Sequence, residues 1–131
     1  MNKKEFVLIR KMLDKTQKQI ANLLGTSIKA VHSYEQGLRS IPFHVERQLY
    51  FLVFQFIKKN NEKKFCWEIK NCPKEIIKLC PAYEFNCGHI CWFINGTICE
   101  GKTQKNWKEK IEICKSCEVF KIFFIEFYPT L

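Results

Sequence analysis

Between Thr16 and Gly37 the chain writes one punctuation twice: a hydroxyl residue, eight or nine residues of helical character, then a glycine. A hydroxyl side chain accepts bonds from the unpaired N–H groups that open a helix. A glycine takes the left-handed conformation that closes one without strain. The spacing therefore predicts one helix over residues 17–24 and another over residues 28–36, joined by a turn at Gly25. Gln19 stands three residues after Thr16 and completes a capping box. Ile20, Leu23 and Leu24 form the inward stripe of the first helix, and Val31 and Tyr34 point back to the same core.

The flanks extend this pattern. Phe6, Ile9 and Leu13 recur at helical spacing and predict a helix over residues 3–13. Pro42 stands at or near the first turn of a fourth helix, where its missing N–H costs nothing. Val45, Leu49, Leu52, Val53 and Phe56 form the stripe of that helix, while Phe51, Phe54 and Ile57 lie off it. A helix apolar nearly all round is buried on more than one side. A second copy of the chain, the second domain or its own small core can supply the cover.

Lys58 to Lys64 reads KKNNEKK and is the expected linker. Beyond it the composition changes abruptly, and all eight cysteines fall between Cys66 and Cys117. The expected domains are residues 1–60 and residues 61–131. Neither is large enough to bury a big core, so the second needs cross-links or metal. The net charge of +9 is uneven. Residues 1–60 hold 11 Lys/Arg against 4 Asp/Glu, a balance of +7, whereas residues 61–131 hold 11 against 9. A polyanionic partner would want the excess on the first domain.

No stretch approaches the roughly 18 apolar residues of a membrane span. The opening MNKKEFVLIRKML is too short in apolar residues for a secretory signal. A cytoplasmic protein with no membrane partner is expected. Reducing cytosol disfavours structural disulfides and favours thiols that bind metal or sense redox state. No Ser/His/Asp or Cys/His constellation points to an enzyme.

Gln17, Ala21, Gly25, Ser27, Val31, Tyr34-Glu35 and Gly37 carry a resemblance. Residues 3–57 resemble the Cro and phage-repressor class of helix-turn-helix domains, often called XRE-type. The resemblance implies a domain that sets its third helix in the major groove of double-stranded DNA. By position, Ser27, Ile28, Lys29, His32 and Ser33 would face base edges. Lys29 suits guanine O6 or N7, and Ile28 a thymine methyl. Gln17 and Arg39 would meet phosphates. Arg10 and Glu35 would form a structural ion pair, and a homodimer would present two such helices.

The thiols are spaced Cys66-x5-Cys72-x7-Cys80-x6-Cys87-x3-Cys91-x7-Cys99-x14-Cys114-x2-Cys117. Only the last pair has the close spacing that aims two sulfurs at one metal, so this is no ordinary zinc ribbon. Cys72-Pro73 and Cys80-Pro81 are steps that also occur at iron–sulfur ligands. Trp67 and Trp92 follow cysteines directly and can shield sulfur from water or simply pack the core. His89 lies near Cys87 and Cys91 as a further candidate ligand. Asn95-Gly96 signals a β-hairpin. The hairpin register that sets Cys91 and Cys99 on one face is the one expected, because a metal bond outweighs a turn preference. Phe120, Phe123, Phe124 and Phe127 predict a C-terminal helix that ends before Pro129.

CWEIKNC, CPA, CW, GTIC and CKSC resemble the small two-CW domain, a family found beside bacterial signalling and regulatory modules. The match covers residues 65–121. Cys66, Cys72, Cys80, Cys91, Cys99, Cys114 and Cys117 align with its pattern, Cys87 departs from it, and the stretch before Cys80 is short. Those seven are the expected metal ligands. An iron–sulfur cluster is the first expectation, with structural zinc, and disulfides or free redox thiols, as alternatives. The fold class expected is mainly α: a four-helix helix-turn-helix domain, then a small Cys-rich metal-stabilised domain with a β-hairpin and a C-terminal helix. The function expected is a sequence-specific DNA-binding transcriptional regulator that senses redox or metal status. The alternative is a metal-stapled protein-interaction or redox accessory module without operator binding.

Overall fold

The structure, a computed structural model, describes residues 1–58 and 65–124. It is mainly helical, and no sheet is found among the described residues. The chain divides into two compact units, Met1–Lys59 and Asn60–Leu131. Among the described residues no helix is long and apolar enough to cross a membrane.

The first unit holds four helices: α1 (Lys3–Met12), α2 (Gln17–Leu24), α3 (Ile28–Gln36) and α4 (Phe43–Lys58). Each of the first three opens on a side-chain cap. Asn2 accepts from the Glu5 amide, Thr16 from Gln19 in a complete capping box, and Ser27 from Ala30. Gly25 and Gly37 close α2 and α3 at φ of 66° and 76°, where a Cβ would be strained. α3 packs on both α1 and α2. Phe6, Ile9, Ile20, Val31 and Leu49 are wholly buried and form the centre of the core.

Three expectations are corrected in this unit. α1 stops at Met12, because Asp14 turns left-handed at φ 55° and Leu13 becomes the cap. Leu23 is half exposed, since Ile20, Ala21 and Leu24 already define the buried face and Leu23 falls beyond its edge. α4 buries one broad face rather than several. Val45, Leu49, Tyr50, Val53 and Phe54 are inside, whereas Phe51 and Phe56 are exposed. Glu46 is buried on the same face and accepts from the Met1 amino group at 3.0 Å. The Ile57 side chain and the expected linker from Lys59 onward lie outside the described residues.

The second unit strings together short helices: α5 (Cys66–Ile69), α6 (Lys74–Leu79), α7 (Pro81–Glu84), a 3₁₀ turn at Cys91–Phe93, α8 (Trp107–Ser116) and α9 (Glu118–Phe124). α8 packs on α9 and on the 3₁₀ turn, and α5 packs on α9. Trp92, Phe120 and Phe124 are buried together, with Trp92 and Phe124 ring centroids 5.7 Å apart. The C-terminal helix is thus present, and Phe127 lies outside the described residues. Gly88 has no room for a side chain, because a Cβ would stand 2.6 Å from Trp67 and 2.8 Å from Phe65.

The expected hairpin is not found among the described residues. Cys91 to Phe93 coils as a 3₁₀ turn, and at Asn95-Gly96 only Gly96 has positive φ. A type I′ hairpin turn needs positive φ at both central residues. That geometry occurs five residues later, at Glu100 (φ 56°) and Gly101 (φ 77°). There Cys99 and Lys102 exchange both backbone bonds at 3.1 Å, a single isolated bridge.

Candidate functional site

On α3 the residues expected to face bases form the open side of the helix. Ser27, Ile28, Lys29 and His32 are exposed, and Ser33 is half-buried. Two of the five have their hydroxyls engaged locally: Ser27 caps α3, and Ser33 donates to the Lys29 carbonyl at 3.1 Å. Lys29 and His32 remain as the long polar side chains of that face. Arg39 is exposed just after the helix, with its guanidinium 5.7 Å from the Tyr34 ring centroid.

Gln17 opens α2 and is tied to α3. Its amide Nε2 donates to Glu35 Oε2 at 2.7 Å, and Glu35 pairs with the Arg10 guanidinium. Arg10 also donates to the Lys15 carbonyl at 3.0 Å. One carboxylate thus joins α1, α2 and α3. A carboxamide nitrogen carries two hydrogens, so Gln17 keeps one to donate elsewhere after bonding Glu35.

In the second unit the thiols converge. Cys66, Cys72, Cys80, Cys91, Cys99 and Cys117 line one cavity of about 60 Å³. Cys91, Cys99, Cys114 and Cys117 line a neighbouring one of about 30 Å³. Together these are the seven cysteines that the two-CW resemblance aligns. Cys87 lines neither, and its thiol donates to the Phe85 carbonyl at 3.2 Å. His89 lines neither as well; its ring stacks on Phe65 at 4.4 Å. Cys91 and Cys99 share both cavities, reached through the 3₁₀ turn and the isolated bridge instead of a ladder.

Local structure accounts for the convergence. Cys66 starts α5, Cys80 lies between α6 and α7, Cys91 starts the 3₁₀ turn, and Cys114 and Cys117 end α8. Ends of short helices are where side chains turn inward without breaking a ladder. The Ile98 amide donates to Cys80 Sγ at 3.4 Å, which fixes the direction of that side chain.

The thiols also act on one another. A hydrogen bond from Cys91 lowers the proton affinity of Cys66, and the same bond raises that of Cys91, with burial raising it further. Of the pair, Cys66 is the thiol that gives up its proton more readily. Burial raises Cys72 and pushes Cys114 up to about 11. Among the described residues no three His, Cys, Asp or Glu side chains stand at ready-made ligand spacing. A metal held here would require the sulfurs to close in around it, as metal-coupled folding allows.

The cysteine pattern did not reveal two neighbours. Lys110 is buried at 1% exposure and donates to Thr97 Oγ1 at 2.6 Å. Thr97 Oγ1 in turn lies 3.3 Å from Cys99 Sγ. The signal that could have found Lys110 is helical spacing, since Trp107, Lys110, Ile111 and Cys114 share the buried face of α8.

No protein-family model, no curated protein and no solved structure matches this chain.

Proposed function

We propose that the protein is a transcriptional regulator whose first unit binds double-stranded DNA through α3 and whose second unit holds metal on its thiols. The observation that carries the metal half is the gathering of seven cysteines around two neighbouring cavities, with Cys87 left out. The donor set is soft and anionic when ionised, which selects iron–sulfur clusters or zinc over hard cations. A single zinc takes four ligands in a closed tetrahedron. Six thiols around about 60 Å³ exceed that need. The space is several times the roughly 15 Å³ that one water-sized probe requires. An iron–sulfur cluster is therefore the better occupant, held by four of the seven. When bound it would supply a redox-dependent charge, and this chain's part is to supply thiolates, exclude water and balance that charge.

The DNA half rests on the capped α2–turn–α3 unit and its open polar face, joined to a first-unit charge balance of +7. Lys29 would read a base, and Gln17, oriented by Glu35, would hold a phosphate. A homodimer would set two α3 helices about one DNA turn apart, and a change at the thiols would alter that spacing.

Two experiments test the reading. Anaerobically purified protein should show a visible absorbance band with iron and acid-labile sulfide; zinc without iron would overturn the cluster assignment. DNA affinity should fall steeply with added salt. Lys29→Ala should relax base preference, losing about 1–3 kcal/mol at its preferred base. Gln17→Ala should weaken all sequences alike. Equal, sequence-independent losses from both variants would remove α3 as the reading helix.

A second reading draws on exposed apolar residues of the same unit. Leu23, Ile28 and Leu38 are 50%, 46% and 74% exposed, which suits a protein partner. Salt-insensitive behaviour on DNA would favour it.

A further inference from the structure

Lys110 is the least expected residue of the second unit. Lysine is almost never fully buried unless it is paired. Among the described residues no carboxylate forms an ion pair with it. Its bond is to the Thr97 hydroxyl, a neutral group. A lone ammonium in an apolar interior is costly, so the fold must supply negative charge from another source. Lys110 lines the second cavity together with Cys91, Cys99, Cys114 and Cys117. Glu100 lines the same cavity but is exposed and forms no ion pair with Lys110, which leaves the thiols. Through Thr97, Lys110 also reaches Cys99 Sγ, in a chain of 2.6 Å and 3.3 Å.

We propose that Lys110 is the buried countercation of the second thiol cavity, where Lys70, the other lysine of the lining, is exposed. The Lys110 ammonium balances the negative charge of metal-bound thiolates, and the Thr97 hydroxyl passes its hydrogen-bond direction on to Cys99. The inference rests on the metal reading above. A metal bound by four thiolates carries net negative charge, because four unit charges exceed that of a divalent ion. A fixed positive charge beside it lowers the cost of burying that excess. Lys110 is thus a positioning residue that acts on the metal through charge and through Cys99.

The test uses the full chain, reduced and free of oxygen, with Co²⁺ alone as the probe and a chelator as competitor. Lys110→Met and Lys110→Gln remove the charge while keeping length. The wild type should bind Co²⁺ in a thiolate environment, and each neutral variant should bind about 10–100-fold more weakly, the usual loss for an outer-shell partner of a metal ligand. Thr97→Val, which keeps the charge and removes the relay, should lose less. Wild-type binding with neutral variants within twofold of it would overturn the role of Lys110 and leave the metal reading standing. A wild type that binds no Co²⁺ would overturn both. If neither neutral variant folds even with excess Co²⁺, the ammonium serves packing instead, and the proposal falls.

Discussion

The two units bury different things. The centre of the first is Phe6, Ile9, Ile20, Val31 and Leu49; its buried carboxylate, Glu46, is paired with the Met1 amino group, and three of its helices open on side-chain caps. The second buries Trp92, Phe120 and Phe124, but with them Lys110, Thr97, Gln104 and the thiol of Cys114. A core of hydrocarbon is stable by burial alone, at roughly 25 cal/mol per Å². A core that includes an ammonium and a set of thiols needs something to neutralise and tie them. The contrast fits the proposed reading, in which the first unit folds by burial alone and the second receives a metal.

Metal removal should break this comparison most visibly. Stripping metal under reducing conditions should unfold the second unit and leave the first helical, as two-dimensional NMR of the full chain would show. Full dispersion of second-unit signals without metal would contradict it. The pH dependence follows from the thiols. Burial holds the Cys114 proton up to about 11, so ligation expels it. Affinity should then rise with pH, by about tenfold per unit for each proton released. A pH-independent affinity between pH 6 and 8 would show that the raised thiols are not ligands.

A core truncation in the first unit comes next. Ile20→Ala should cost about 2–4 kcal/mol, through lost burial and the cavity left behind. The loss should appear in the first thermal or denaturant transition and not alter metal content. A simultaneous loss of metal would mean that the units are not independent. Smaller still is Glu35→Gln. Arg10 and Glu35 are 15% and 11% exposed, so neither is fully hydrated. Removing the carboxylate charge should destabilise the first unit by about 1–3 kcal/mol and free Gln17 from its hold. Unchanged stability would mean that hydration of Arg10 substitutes for the pair.

The same contrast explains what could be read from the residues. Thr16, Gly25, Ser27 and Gly37 act within three or four positions, so the helices they bound were legible at their ends. Leu23 and Phe56 were misplaced because a stripe drawn from spacing has no knowledge of where the core stops. The seven cavity cysteines are those that the two-CW resemblance aligns, whereas how they meet follows from no spacing rule. Asn95-Gly96 promised a turn with positive φ at both residues; the structure places it at Glu100-Gly101, where no composition rule looks for it. Lys110 is one of 11 basic residues beyond residue 60, and only the packing of α8 singles it out.

The smallest expected effect is the sharpest for the site. Cys87 is the one cysteine that lines neither cavity, and its thiol is occupied by the Phe85 carbonyl. A serine hydroxyl donates to a carbonyl at least as well as a thiol does. Cys87→Ser should therefore leave metal content unchanged and shift stability by no more than about 0.5 kcal/mol, the range of a surface substitution. Cys114→Ser removes a sulfur from the second cavity and should lose metal or retain it loosely. Measured side by side, the two variants separate a cavity set from a generic thiol count. If Cys87→Ser lost metal as Cys114→Ser does, the cavities would not define the ligands, and the sulfurs would have to regroup on loading to bring Cys87 in.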